Sequence, residues 1–304
     1  MMKRKMATLV GCAIGDALGN PFEMKAPISP DLVAWDGMFK AGGTFWKGAA
    51  GQYTDDTLMT IALSKSLIQS NGYDPEDAAK EYLAWYVTGN TRGIGNTTAE
   101  ACHNLKTGAT WQESGLTGLT KAGNGSAMRA SPIGLVYRKD INSLIEHAMN
   151  DASITHNSNE PKMGSIAVAL GTAYLAGHSK YDRDAILAEI IYILEDCDVK
   201  EKLQQASFHL NEGTDHKVAL AEIGSSGYVA ETVAAAFYCL NKTHTFKDCV
   251  VMAIKCGGDT DTTAAVAGAL AGTYYGLEKI PDEYKNEVEN FDLLNALNEE
   301  LMKL

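Results

Sequence analysis

The chain has 304 residues, 45% hydrophobic and 21% charged, enough apolar content to bury a large core and too much for a disordered chain. Its 38 acidic residues outnumber 26 basic ones and leave a formal charge of -12. A surface so acidic repels phosphate backbones, and the one basic cluster, Lys3 to Lys5, is too short to offset it, so no nucleic-acid partner is expected.

The apolar run Met6 to Gly15 follows that cluster but is short and is succeeded by Asp16, which fits a first helix of the folded chain better than a signal peptide. Residues 21 to 54 carry Pro21, Pro27, Pro30 and repeated glycines, and a loop of that length is usually functional or a lid. A helix is expected over 57–70, with Leu58, Ile61, Ala62 and Leu67 near one stripe. The next, 74–89, opens with Asp74 as N-cap and Pro75 at its first position and stops at Gly89. Segments 89–98 and 112–127 read as loops rich in Gly and Thr. Further helices are expected over 141–153, 160–177, 182–196, 228–240, 246–257 and 293–304.

Small residues recur at helical spacing in three places: Gly164, Ala167 and Gly171; Ala230, Ala234 and Ala235; Ala265, Gly268 and Gly272. They permit close backbone approach, and the absence of a polar face places these helices at the centre of the fold. No segment alternates convincingly as a strand, and no linker or repeat divides the chain. The expectation is one all-α domain over 1–304. No run approaches the roughly 20 apolar residues of a membrane span. The six cysteines form no CxxC pair and no zinc spacing, and read as reduced, packed thiols of a cytoplasmic protein.

Two acidic motifs carry the chemistry. In YTDDT, Asp55 and Asp56 stand between Thr54 and Thr57 at a helix start, where capping alone would explain them. GGDTDTT is more specific: two glycines precede five consecutive oxygen-bearing side chains, Asp259 to Thr263. Hard divalent cations take such carboxylate and hydroxyl ligands. For Asp259 and Asp261 to share an ion, Asp259 must lie in a loop or cap and Asp261 in the first helical turn. Glu23 closes a third segment, GCAIGDALGNPFE, in which Asp16 could instead hydrogen-bond a neighbouring loop. The glycine loop AGNGSAMRASPIG could hold an anion on its amides, but neither it nor RGIGNTT is a Walker or dinucleotide fingerprint. Arg129 reads as a phosphate ligand or a buried structural cation, and His156 as a catalyst or a core residue.

Taken in order, GCAIGDALGNPFE, YTDDTLMT, RGIGNTT, GNGSAMRASPIGL, ITHNS and GGDTDTTAAVAGALAGTYYGLEKIP resemble the ADP-ribosylglycohydrolase family over nearly the whole chain. The resemblance implies an all-α fold around two Mg²⁺ or Mn²⁺ ions held by Thr54, Asp55, Asp56, Asp259, Asp261 and Thr262. It implies Glu23, Asp55 and Asp56 as the acid–base groups, and Asn96, Gly123, Asn124, Gly125, Ser126 and His156 as the lining of the ADP-ribose pocket. The partner implied is an ADP-ribosylated protein or an ADP-ribose conjugate, acted on by a monomer. The reaction implied removes ADP-ribose from a side chain, arginine-linked by preference, with serine-linked or small-molecule conjugates as alternatives. The chain departs from the pattern at Thr120, Lys121 and Ala122, where some members carry a serine-tyrosine pair, and at Gly93, where the nitrogenase-regulating branch has an aspartate.

Two rival readings stand beside this one. DTDTT also resembles the nucleophile motif of haloacid-dehalogenase-like phosphatases, which needs VVMAI to be a strand and a Rossmann-like domain downstream. A non-catalytic ADP-ribose-binding or crystallin-like protein would be expected to have lost metal ligands, and here each expected ligand type is present.

Overall fold

The computed structural model describes residues 4–118, 120–177 and 183–304; Lys3, Leu119 of the 112–127 loop and Asp182, the start of one expected helix, lie outside the described residues. Among the described residues the chain is all-α, with seventeen α-helices, two 3-10 turns and isolated bridges but no strand. VVMAI lies in the helix Phe246–Lys255, which removes the strand that the phosphatase reading needs. No helix among the described residues is long and apolar enough to cross a membrane.

At the centre the first helix, Thr8–Gly19, packs antiparallel against the helix Thr260–Tyr275. Glycine makes this contact possible. A Cβ added at Gly11 would stand 2.1 Å from the carbonyl oxygen of Gly268, and one at Gly15 would stand 1.9 Å from that of Ala264. The two backbones touch directly, so every polar group between them needs a partner. Thr8 and Thr273 join hydroxyls at 2.7 Å, and Thr260 Oγ1 donates to the Gly19 carbonyl at 2.8 Å. Residues 241 positions apart are thereby fixed within one hydrogen bond of each other.

The other small-residue helices surround this pair as expected. Ala167, Ala230, Ala234, Ala235 and Ala265 are fully buried. In the helix Asn159–Gly177, Gly164 lies against Val229, and Gly171 lies against Phe237 and Leu270. The helix Pro75–Val87 begins as its sequence specifies: the Asp74 side chain accepts from the amides of Glu76 and Asp77. It ends just before Gly89, whose φ is +74°.

Residues 21–54 form one short helix, Pro30–Val33, and are otherwise irregular but folded onto the core. Phe22 and Trp35 are buried against each other with ring centroids 5.0 Å apart, and Thr44 Oγ1 donates to the Glu23 carbonyl at 2.6 Å. The structure adds three sizeable helices to those expected: Asn96–Lys106, Asp198–Asn211 and His216–Ile223. Each buries a narrow stripe (Val199, Leu203, Ala206 and His209 in the second), so their periodic signal is weak.

Candidate active site

The helix Asp55–Gln69 starts with Thr54 as an extended N-cap residue whose own side chain does not cap. The cap comes from another helix. Asp16 Oδ2 accepts from the amides of Thr54 and Thr57, each at 3.0 Å, and from the Thr57 hydroxyl at 2.6 Å; Oδ1 accepts from the Thr54 hydroxyl at 2.8 Å. Asp16 therefore satisfies orphan amides at this helix start and leaves Asp55 and Asp56 free of the capping role. Thr54 Oγ1 is also 3.1 Å from Asp56 Oδ2.

At the other end of the sequence, Asp259 is the N-cap residue of Thr260–Tyr275 and Asp261 lies in its first turn. Carboxylate oxygens of Glu23, Asp259 and Asp261 gather within 4.8 Å of one another. Glu23 reaches them because its loop is pinned there: the Met24 amide donates to the Gly258 carbonyl at 2.6 Å, and the Gly258 amide returns the bond to Lys25 at 2.9 Å. The resemblance implies Glu23 as an acid–base group; the fold brings its carboxylate to the pair Asp259 and Asp261.

The two candidate half-sites, Thr54 to Asp56 and Asp259 to Thr262, feel each other's charge. Burial raises Asp56 well above the ordinary carboxylate range, and Asp16, Asp55 and Asp259 raise it further, partly offset by Thr262. Burial also raises Asp55, reinforced by Asp16, Asp259 and Glu23. It raises Asp261 too, reinforced by Asp259, Glu23 and Asp56. Glu23 is pushed up to about 8, by burial first and then by Asp259 and Asp16. Asp16 rises to about 6 through burial, held back by its four threonine hydrogen bonds. Like charges gathered at such depth call for a compensating cation. Asp56 Oδ1 is buried without a hydrogen-bond partner, an acceptor that a cation would satisfy. The donor set, all oxygen, fits a hard divalent ion.

The glycine loop lies on the other flank. The Asn124 amide donates from Nδ2 to Asp259 Oδ2 and to Thr232 Oγ1, each at 2.8 Å, so this residue ties the loop to the carboxylates. The backbone of residues 122–124 pairs with that of 227–229. Gly125 leaves room for His156: an added Cβ would stand 2.7 Å from its Cε1. Ser126 is fully buried and donates to the Pro161 carbonyl at 3.2 Å, so its hydroxyl is turned away from the loop's open side. Asn96 is exposed at the start of its helix. It lies between Gly93, where an added Cβ would be 3.0 Å from Asp55 Oδ1, and Thr98, which lines Gly125. Arg129 is the buried structural cation of the two readings, 3.0 Å from Asp151. Asp16 hydrogen-bonds a neighbouring segment, as its sequence context allowed, whereas no sequence signal pointed to the Asn124–Asp259 tie.

A separate cavity of about 1350 Å³ is lined by Met24, Ile28, Leu220, Val251 and neighbouring residues, and none of the expected site residues lines it. Ser225 and Gly258 form part of its wall, with Asp259 just beyond.

A model of the ADP-ribosylglycohydrolase family matches residues 2–304. The chain is 29% identical to the ADP-ribosylarginine hydrolase Tri1 of Pseudomonas putida, covering 99% of this chain and 78% of that one. It is 27% identical to the ADP-ribosyl-[dinitrogen reductase] glycohydrolase of Rhodospirillum rubrum, covering 94% and 90%. A solved structure of an ADP-ribosylglycohydrolase-related protein complex superposes with a TM-score of 0.79 at 28% identity, covering 98% of this chain and 96% of that one. With its whole length matched and its fold shared, the chain belongs to the ADP-ribosylglycohydrolase family and is an enzyme of the glycohydrolase class.

Proposed function

We propose that this enzyme removes ADP-ribose from a modified protein side chain by cleaving the bond at C1 of the distal ribose, with arginine as the preferred linkage. The observation that carries the reading is the convergence of carboxylates from opposite ends of the chain: Glu23, Asp259 and Asp261 within 4.8 Å, and Asp56 under the field of Asp259. Arginine is favoured because two relatives matched over nearly the whole of this chain are named for that linkage. The six free cysteines and the acidic surface support a cytoplasmic enzyme, and we take it to act as a single-domain monomer.

Thr54, Asp55, Asp56, Asp259, Asp261 and Thr262 would hold two divalent cations, Mg²⁺ or Mn²⁺. Bound there, the ions would supply charge compensation and Lewis-acid polarisation. The chain's own groups do the rest. Cleavage at C1 builds oxocarbenium character, which a ring of carboxylates stabilises. Water would attack C1 as the bond to the modified side chain breaks, and Glu23, beside Asp259 and Asp261, would serve as the acid–base group that moves the proton from the water to the leaving side chain, with Asp55 and Asp56 as the other proton acceptors. The Asn124–Asp259 bond sets the glycine loop, and with it His156, at a fixed distance from the reacting sugar.

The test is incubation with arginine-linked and serine-linked ADP-ribosyl peptides, with Mg²⁺ or Mn²⁺ and with chelator. Free ADP-ribose should be released from the arginine-linked peptide with cation alone. Release in chelator refutes the metal assignment. A thermal shift with ADP-ribose but no release from either peptide makes this a non-catalytic binder.

A further inference from the structure

Arg129 has more partners than an ion pair needs. Its Nε donates to Asp151 Oδ2 at 3.0 Å and Nη2 to the Asp151 carbonyl at 2.8 Å, while Tyr82 OH donates to Asp151 Oδ1 at 2.7 Å. Nη1 points the other way, to the Gly125 carbonyl and to Thr155 Oγ1, both at 2.9 Å. Thr155 Oγ1 in turn lies 2.9 Å from His156 Nδ1.

The direction of each bond follows from what each group can do. A guanidinium only donates, so the Thr155 hydroxyl accepts from Arg129. Thr155 is fully buried, and among the described residues its proton has one acceptor, His156 Nδ1. Were Nδ1 protonated, it would donate to Thr155 and leave the hydroxyl proton buried without an acceptor. Nδ1 therefore accepts, and the ring proton sits on Nε2. The ring stays neutral because burial, Arg129 and Lys121 all disfavour the imidazolium and lower its pKa to about 3. The described residues offer Nε2 no hydrogen-bond partner. It faces the backbone of Gly123 and Gly125, where added Cβ atoms would stand 3.5 and 3.2 Å from it.

We infer that Arg129 and Thr155 are positioning residues: they hold His156 in a single tautomer, with Nε2–H as a fixed donor to an oxygen of the ligand seated on the Gly123–Gly125 loop. The ligand assignment rests on the proposed function; the tautomer does not. The diphosphate oxygens of an ADP-ribose only accept and its ribose hydroxyls can accept, so a fixed donor favours it over a ligand that presents N–H groups at that point.

The experiment uses the full chain labelled with ¹⁵N-histidine, as wild type, Thr155→Val and Thr155→Ser. Long-range ¹H–¹⁵N spectra of the ligand-free protein at pH 7 should show His156 as the neutral Nε2–H form in wild type and in Thr155→Ser. Thr155→Val should show a tautomer mixture. Calorimetry with free ADP-ribose and Mg²⁺ should give affinity about tenfold weaker for Thr155→Val and near wild type for Thr155→Ser. Wild-type His156 seen as Nδ1–H or as imidazolium overturns the relay, as does a Thr155→Val protein with unchanged spectrum and affinity. A wild-type protein with the expected spectrum that binds no ADP-ribose overturns the ligand assignment and leaves the relay standing.

Discussion

Asp16 of the first helix caps the helix that begins at Asp55: its carboxylate takes the amides of Thr54 and Thr57 and both of their hydroxyls. A cap supplied in trans couples the position of the first half-site to the packing of the Thr8–Gly19 helix. Asp16→Ala leaves two amides and the Thr57 hydroxyl buried without an acceptor, while the Thr54 hydroxyl keeps Asp56 Oδ2 at 3.1 Å. The expected loss is about 2–4 kcal/mol of folding stability, less whatever is regained by relieving repulsion on Asp55 and Asp56. Urea unfolding measures it, and a variant within about 0.5 kcal/mol of wild type contradicts the capping role.

Burial disfavours the ionised form of Asp261, and Asp259, Glu23 and Asp56 oppose it further. A carboxyl whose folded pKa is raised destabilises the fold as pH rises through that value. Asp261→Asn should therefore melt no lower than wild type at pH 8 in chelator. On the proposed ligand set, wild type should be stabilised by Mg²⁺ or Mn²⁺, and the same variant should lose that stabilisation and turn over at least about 100-fold more slowly. An unaltered cation-induced shift in melting temperature would remove Asp261 from the ligand set.

Gly15 and Gly177 are both helical glycines with opposite surroundings. An added Cβ at Gly15 meets the Ala264 oxygen at 1.9 Å, whereas among the described residues one at Gly177 meets nothing within 4 Å. Gly15→Ala must push the two central helices apart, with an expected cost of about 1–3 kcal/mol or more and a parallel loss of cation-induced stabilisation, because the same contact registers the half-sites. Gly177→Ala should be neutral or slightly stabilising. Paired thermal melts with and without Mn²⁺ check both.

His156 is buried neutral, with its pKa lowered to about 3 by burial, Arg129 and Lys121. An unfolded histidine titrates near 6.5, so between these values the unfolded chain binds the extra proton. Stability should fall as pH drops below about 6.5, by at most about 1.4 kcal/mol per pH unit from this residue. His156→Gln should flatten that limb of the stability profile and leave the profile above pH 7 unchanged. An acid limb identical in the two proteins would show that other groups set it.

The sequence determined the helical character of the chain, its small-residue centre and the identity of its oxygen-rich motifs, because these are local properties. Asp74 next to Pro75 announces a helix start, and Gly164, Ala167 and Gly171 announce a crowded face, whatever the rest of the chain does. The tertiary structure alone decided which carboxylates share a site. Asp16 became a cap for a helix 39 residues away in sequence, as its bonds to Thr54 and Thr57 require, and Glu23 joined Asp259 and Asp261. Ser126 turned to the Pro161 carbonyl, and Asn124 turned to Asp259. These outcomes depend on the backbone contact of Gly11 and Gly15 with Gly268 and Ala264, where segments from opposite ends of the chain meet. The direction in which a side chain points across such a contact follows from packing, and no local pattern encodes it.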